Sequence, residues 1–424
     1  MKYSDLSAEK KKALKADLDK EYQALLDKKL DLNMARGVLC REQLDLTQDM
    51  LGVLKTPEDC MGENGTDYRN YGLLDGIPAA KKIFAELLGV DCDCVIIGGN
   101  SSLNLMYDSI SRLMIFGAED VKVPYMKQGK VKFICPSPGY DRHFGICEAF
   151  GIEMIPVDIN RDGPDMDKIE ELVANDESVK GIWCVPKYSN PTGVVYSDEV
   201  VSRFADLSPK AKDFRIFWDN AYIIHSLYGE PAKQKNILEE AKKTGKENMV
   251  YVFTSTSKIS FPGSGVSVIA SSRSNIDEIK NRMASQTIGY DKLNQMRHIR
   301  YFGSLDGILS QMKRHAEIIA PKFDMVECIL EERLGGLGIA DWSKPEGGYF
   351  ISLNVMPGTA KRVYEMMCEL GIKLTPAGNT YPYKKDPKDS NLRIAPTFPP
   401  PDELKQASEA LCLCTKRAAM EKLI

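Results

Sequence analysis

The sequence predicts an α/β protein: a large unit with a mostly parallel seven-stranded sheet between helices, plus a smaller α+β unit after about residue 325. Three observations predict it. Seven short apolar runs have strand length and end in turn residues: Val95–Gly98, Val131–Cys135, Glu153–Val157, Gly181–Val185, Arg215–Trp218, Val250–Phe253 and Val266–Ala270. Helical patterns separate several of them, as at Ser102–Phe116, Asp167–Asn175 and Asp198–Ala205. Strand–helix alternation over this length argues a sheet covered on both faces. Beyond residue 325 the style changes to a strand entered through a Gly-rich turn, a helix, a polar loop and a last strand and helix.

In order along the chain, residues 5–31 carry Leu14, Leu18, Tyr22, Leu25, Leu26 and Leu30 at helical spacing among charges, so they form an amphipathic helix. Gly37 follows, where the backbone either turns sharply or comes close to a ligand. Residues 59–77 are rich in Gly, Asn, Asp and Tyr and read as a loop ending in the helix 79–88. Tyr71 in this loop is either a packing tyrosine or a hydroxyl donor to a phosphate. The run from Ile97 to Met106 ends a strand in glycines and opens a helix with Asn100, Ser101 and Ser102. Free N–H groups and small hydroxyls there suit an anion, and they equally suit an ordinary helix cap. The connection after Lys258 is too short for a helical crossover, so the seventh strand should run antiparallel. In the second unit, the strand lies within Trp342–Leu353, the helix within Thr359–Leu370 and the last strand at Asn391–Pro396. The expected division is 1–50 (helix and arm packing on the small unit), 51–324 (large unit) and 325–424 (small unit).

Composition narrows the function. At 424 residues the chain is long enough for two or three domains, and 43% hydrophobic with 27% charged residues is ordinary for a globular protein. A net charge of −4 argues against a nucleic-acid binder that neutralises phosphates. Eleven scattered cysteines, an odd number, read as reduced thiols of a cytoplasmic protein, and the dispersed histidines form no zinc pattern, so no metal is expected. No signal-peptide core or membrane-length apolar stretch is present in the sequence given, so no membrane partner is expected.

The chemistry centres on the stretch from Val250 to Ala270. An apolar strand leads to the hydroxyls Thr254, Ser255, Thr256 and Ser257, then to Lys258, then to a Gly/Pro bend. Ligands of α/β proteins sit at such strand ends. A lysine beside a phosphate site suggests pyridoxal 5'-phosphate held through its aldehyde; the competing reading is a surface lysine in a polar loop. Two further anchors end the two preceding strands: Asn190 in Asn-Pro-Thr-Gly193, and Asp219 with Tyr222. A buried carboxylate at Asp219 would keep a pyridine nitrogen protonated, and Asn190 and Tyr222 could donate to the ring's phenolate oxygen. Singly, Asp219 is a helix-capping acid and Asn-Pro-Thr-Gly a turn. Together, in this order, they form a site.

The series Tyr71, Gly-Asn-Ser-Ser102, Tyr140, Asn-Pro-Thr-Gly193, Asp219–Tyr222, Ser255-Thr-Ser-Lys258 and Arg393 resembles the pyridoxal-phosphate aminotransferases of fold type I, class I/II. Within them, Ser-Pro-Gly-Tyr-Asp-Arg-His143, Thr-Ser-Lys-Ile-Ser260 and Asp-Lys-Leu-Asn-Gln-Met-Arg-His298 are similar to the MocR-like branch, which includes aspartate aminotransferases. The similarity runs from about Asn33 to Pro400. It implies that Lys258 holds the cofactor and moves the proton, that Asp219 pairs with the ring nitrogen, and that Asn190 and Tyr222 hold the phenolic oxygen. It further implies that Ser101, Ser102 and Ser255 bind the phosphate, with Tyr71 reaching in from a second subunit, and that Tyr140 stacks on the ring. Arg393 would grip the substrate α-carboxylate, helped by Gly37 and Asn190. One departure stands out: where most class I members carry an arginine eight residues past the lysine, this chain has Val266.

The expected function is therefore a homodimeric aminotransferase with active sites at the interface, moving an amino group between an amino acid and a 2-oxo acid by a ping-pong reaction, aspartate with 2-oxoglutarate first. Arg36, Arg69, Arg142, Arg282, Arg297 and Arg300 are the candidates for a distal carboxylate. A C–S β-lyase on the same scaffold is the alternative. A regulator domain is a weaker one, since the thirty residues before Asn33 form no helix-turn-helix unit.

Overall fold

The computed structural model describes residues 2–424. The chain begins with α1 (Ala8–Leu26), β1 (Leu32–Asn33), α2 (Arg41–Asp45) and α3 (Pro78–Leu88). It then alternates through β2 (Val95–Ile97), α4 (Ser102–Phe116), β3 (Lys132–Ser137), α5 (Asp141–Ala149), β4 (Glu153–Asn160), β5 (Gly163–Pro164), α6 (Met166–Asn175), β6 (Val179–Cys184), α7 (Asp198–Asp206), β7 (Arg215–Asp219), α8 (Ile237–Lys243), β8 (Val250–Ser255) and β9 (Ser267–Ala270). After α9 (Arg273–Met283), α10 (Lys292–Phe302) and the long α11 (Leu305–Leu334) come β10 (Ala340–Trp342), β11 (Ile351–Val355), α12 (Ala360–Glu369), β12 (Ile372–Lys373), β13 (Asn391–Ile394) and α13 (Pro401–Leu423).

The main sheet has the order β2-β9-β8-β7-β6-β3-β4-β5. Its central pairings, β4–β3–β6–β7–β8, are parallel, while β9 runs antiparallel to both β8 and β2, as the short connection after Lys258 requires. The sheet has eight strands where the sequence predicts seven. The extra one is the two-residue β5, a Gly-Pro pair antiparallel to the end of β4 and too short to leave an apolar signature. Strands β6, β7 and β8 are buried along their whole length, which explains their unbroken apolar runs. Phe217 sits at the centre, with ring centroids 4.6 Å from Trp183 and 6.0 Å from Phe253. Burying each such side chain contributes roughly 1.5–3 kcal/mol.

Strand β3 is where the order reverses. The chain leaves it to one side for β4 and returns to its other side for β6, β7 and β8. A crevice opens at such a point beyond the carboxyl ends of the strands, and every sequence-predicted anchor in the large sheet follows one of these ends.

A second apolar core gathers β10, β11 and β13 (one antiparallel sheet), α12, α13 and the C-terminal half of α11. Helix α1 packs on it: Arg417 Nε donates to Asp19 Oδ1 (2.7 Å), and the Tyr22 hydroxyl donates to the Met366 carbonyl (3.1 Å). The short β1 lies parallel to β12, so the segment leading to Gly37 is tied to this second core. Helix α11 runs through residue 325 without a break, lending Ile308 and Met312 to the first core and Ile319 to Leu334 to the second.

Candidate active site

Asp219, the last residue of β7, is buried and so is His143 in the first turn of α5. His143 Nε2 lies 2.9 Å from Asp219 Oδ2, while Asp219 Oδ1 is buried with no hydrogen-bond partner among the described residues. The imidazole is clamped flat on Trp183 (4.5 Å, 9° between planes) and meets Tyr140 edge-on at 5.0 Å. One carboxylate oxygen is thus fixed by a neighbour and the other is buried and unpaired, which is costly unless a ligand donates to it.

Lys258 follows β8, and its amine stands over the rings of Tyr222 (5.0 Å) and Tyr349 (5.8 Å) with no hydrogen bond to any described residue. Burial pulls its pKa below the usual lysine range; the Asp219 carboxylate opposes this and the Arg393 cation adds to it. Tyr222 is buried beside it, and burial raises its phenol well above the ordinary value.

Arg393, on β13, is 9% exposed and enters from the second core. Its NH1 donates to Asp141 Oδ1 (3.2 Å) and Asn190 Oδ1 (3.3 Å), and its Nε and NH2 donate to Thr375 Oγ1 (3.3 and 3.1 Å). With its oxygen used this way, the Asn190 amide keeps its N–H groups for a ligand. The guanidinium lies 4.7 Å from the centre of the Phe350 ring, and that ring closes on Gly37, where an added Cβ would come within 2.4 Å of Phe350 Cζ. Gly37 is therefore needed for a close approach of backbone to the arginine's platform.

On the other side of Lys258, the hydroxyls of β8 meet the amino end of α4. Ser101 caps that helix by accepting from the Leu103 N–H (3.2 Å), Ser102 begins it, Ser255 Oγ donates to Ser257 Oγ (3.0 Å), and Ser257 Oγ donates to the Asn100 carbonyl (3.3 Å). Helix N–H groups and hydroxyls converge here, the donor set an anion needs. Val266 points into the core, and its N–H donates to Thr256 Oγ1 (2.9 Å). A side chain at Gly265 would press within 3.1 Å of the Asn100 carbonyl, so that position beside the amino end of α4 is tight for anything larger than glycine. The cation touching the bend comes from α10: Arg297 NH2 donates to Ser264 Oγ and Asn294 Oδ1, and its Nε is buried without a partner among the described residues.

The structure thus brings together Lys258, Asp219, Tyr222, Asn190, Tyr140, Ser101, Ser102, Ser255, Arg393 and Gly37. Tyr71 is not among them. It is 80% exposed and makes no side-chain hydrogen bond to a described residue. Sequence reasoning missed His143 as the partner of Asp219, and Asp141, Thr375 and Phe350 around Arg393. The signal for His143 was its position three residues after Tyr140, one helical turn into the helix that follows a strand end. The residues fit pyridoxal phosphate: an amine for the aldehyde, an unpaired buried carboxylate oxygen for the ring nitrogen, amide and phenol donors for the ring oxygen, and an anion cradle at α4.

A lysine, a carboxylate and a helix amino terminus arranged around the reversal point of a mainly parallel sheet define a pyridoxal-phosphate enzyme of fold type I. The comparisons with known proteins agree. Residues 6–424 match the aspartate amino-transferase family, and the chain belongs to it. An aspartate aminotransferase of Corynebacterium glutamicum is 46% identical over 417 residues, covering 98% of this chain and 96% of that protein. A Mycolicibacterium smegmatis protein is 48% identical over 406 residues, covering 96% and 95% of the two chains. The crystal structure of an aspartate transaminase from Corynebacterium glutamicum superposes with a TM-score of 0.97 at 44% identity, covering 100% of both chains. The chain is a pyridoxal-phosphate-dependent transaminase.

Proposed function

We propose that this transaminase works by a ping-pong reaction with aspartate as amino donor and 2-oxoglutarate as acceptor. The observation that carries the site assignment is the pairing of an unpartnered, buried Asp219 Oδ1 with an unbonded Lys258 amine in one crevice. The substrate choice is supported by the relative that bears the name aspartate aminotransferase. Pyridoxal phosphate, when bound, supplies the aldehyde that takes the amino group and the ring that draws electrons from the substrate carbon.

In this reading Asp219 Oδ1 accepts a hydrogen bond from the ring nitrogen while His143 holds Oδ2 and fixes the carboxylate's plane. Asn190 and Tyr222 would donate to the ring oxygen, and Tyr140 would pack against the ring. Ser101, Ser102, Ser255 and the α4 N–H groups hold the phosphate, with Tyr71 of a second copy completing the cradle. Its 80% exposure in the isolated chain supports that role and a homodimer with shared sites. Arg393 binds the α-carboxylate over Phe350, beside Gly37. Lys258, with its pKa lowered by desolvation, is the base that carries a proton between two carbon atoms. We place the enzyme in the cytoplasm, consistent with eleven free thiols; no described helix is long and apolar enough to cross a membrane.

The test is a panel of amino donors added to the loaded enzyme while the cofactor's absorbance is followed. Aspartate should convert it fastest and 2-oxoglutarate should restore it. Conversion by no donor refutes the function, and release of ammonia and pyruvate from a cysteine conjugate as the main activity would replace it with a β-lyase. Lys258→Ala should abolish multiple turnover.

A further inference from the structure

Behind Lys258 lies a buried polar network that the reaction above does not use. Gln43, on α2, is fully buried, as are His315 on α11 and Tyr349 in the turn before β11. The Cys40 backbone N–H, which can only donate, lies 3.2 Å from one end of the Gln43 amide and so fixes that end as the oxygen. The other end is then the NH2, and its two hydrogens have two acceptors: His315 Nδ1 at 2.8 Å and the Tyr349 hydroxyl oxygen at 3.1 Å. With Nδ1 accepting, the His315 proton sits on Nε2, which faces the Ile259 carbonyl at 3.1 Å. The Gln311 amide nitrogen, 3.3 Å from Nε2, is then a contact rather than a bond. Having accepted from Gln43, Tyr349 turns its own hydrogen to the Lys258 carbonyl, at the long end of hydrogen-bond range (3.5 Å). Burial pushes the His315 pKa down to about 4, so the neutral form this pattern needs is the one present near pH 7.

The two carbonyls held are those of Lys258 and of the next residue, and they fix how the turn presents the lysine side chain. The segment before Gln43 is held by the opposite half of the site. The Met34 N–H donates to the Lys373 carbonyl (2.9 Å), the Thr375 hydroxyl to the Ala35 carbonyl (3.0 Å) and the Thr397 hydroxyl to the Val38 carbonyl (2.8 Å). Thr375 is also the residue that holds Arg393, and Phe350, beneath Arg393, adjoins Tyr349 in sequence. One amide therefore joins the Arg393 cradle to the Lys258 turn. We propose that Gln43 is a positioning residue for Lys258, one that passes the placement of the carboxylate cradle to the lysine through Tyr349 and His315. The inference rests on the function proposed above.

Two variants test it: Gln43→Met, which keeps the volume and removes the amide, and Tyr349→Phe, which removes only the hydroxyl. The readouts are the pH titration of the bound cofactor's absorbance band, with and without succinate as a non-reacting dicarboxylate, the KM-against-kcat split for aspartate, and the melting temperature. A positioning role predicts that the titration midpoint moves by about half a unit or more, that the succinate-induced shift shrinks, and that kcat falls about tenfold to a hundredfold with KM within about twofold. Variants that titrate and turn over like wild type, with only a lower melting temperature, overturn it. If Gln43→Met does not fold, Tyr349→Phe decides by the same readouts. A wild-type enzyme whose cofactor no donor converts would sink the underlying function, and this inference with it.

Discussion

Arg393 has a carboxylate partner before any substrate arrives, and Asp141→Asn tests what that partner does. The Arg393 NH1 to Asp141 Oδ1 distance is 3.2 Å, with the arginine 9% exposed and the aspartate side chain 29% exposed. At an effective dielectric of about 20, two unit charges this close attract by about 5 kcal/mol. Solvent at the exposed edge of Asp141 screens much of this, and a substrate carboxylate recovers part of it on replacing the aspartate. If just over a quarter of that attraction survives both effects, Asp141 penalises an incoming carboxylate by about 1.4 kcal/mol, or tenfold in affinity. Asparagine keeps the acceptor oxygen and the shape while removing the charge. Succinate binding, followed through the cofactor absorbance, should tighten about tenfold in Asp141→Asn, with the KM for aspartate falling in parallel. Unchanged or weaker binding would show that Asp141 holds Arg393 in place for the substrate instead of competing with it, and would refute the reasoning.

Other outcomes follow from the same geometry. Gly37→Ala forces a Cβ to within 2.4 Å of Phe350 and must push that ring from under Arg393, so the KM for aspartate should rise about tenfold or more while the melting temperature changes little. If Asp219 pairs with the ring nitrogen as proposed, Asp219→Asn would remove an attraction of about 4 kcal/mol, taking unit charges about 4 Å apart, so single-turnover conversion of the cofactor by aspartate should slow about a thousandfold; a loss under tenfold would be inconsistent with the assignment. Burial depresses His298 and His315 to about 4 each, against an unfolded value of about 6.5. For a group with a depressed folded pKa, the stability is complete above pH 6.5 and is lost as pH falls toward 4, about 3 kcal/mol for each histidine. Urea midpoints of the cofactor-free enzyme at pH 7, 5.5 and 4.5 should fall accordingly, and His298→Gln should flatten the acid slope.

Much of the fold was legible because the chain marks it locally. The central strands are buried on both faces and so leave unbroken apolar runs, and α4 lies where its apolar periodicity and serine cap put it, at Ser102–Phe116. Strand β5 left no mark because two residues, one a proline, make no pattern. In the site, Lys258, Asp219 and Asn190 were readable because strand ends order them; Arg393 and the phosphate cradle came through family resemblance. His143 was missed because its place one turn into the helix after Tyr140 is only a weak mark, and its role depends on α5 laying the imidazole on Trp183, a contact made far along the chain. The same holds for Gln43 and His315, polar residues whose partners lie 272 positions apart. For Tyr71 the residues left a packing and a phosphate-donor role open, and only the resemblance assigned it to a second subunit; in the chain itself the side chain is 80% exposed.

Val266 stands where the resemblance leads one to expect an arginine, and the structure shows what holds the bend in its place. With valine at that position, buried in the core, and a tight fit at Gly265, the bend from Ile259 to Val266 carries no cation of its own. Arg297 reaches the bend from α10 instead, and its Nε remains buried and unpaired among the described residues. Asn294, one helical turn earlier, holds the bend by donating to the Gly265 carbonyl (2.7 Å), and His298, on the same helix, ties Ser260 through Nε2 (2.8 Å). Three residues of one helix face therefore secure the loop that an arginine within it would otherwise anchor. The positive charge sits on a rigid element rather than on the bend, so the bend can be built from glycine, proline and serine and can lie close against the amino end of α4.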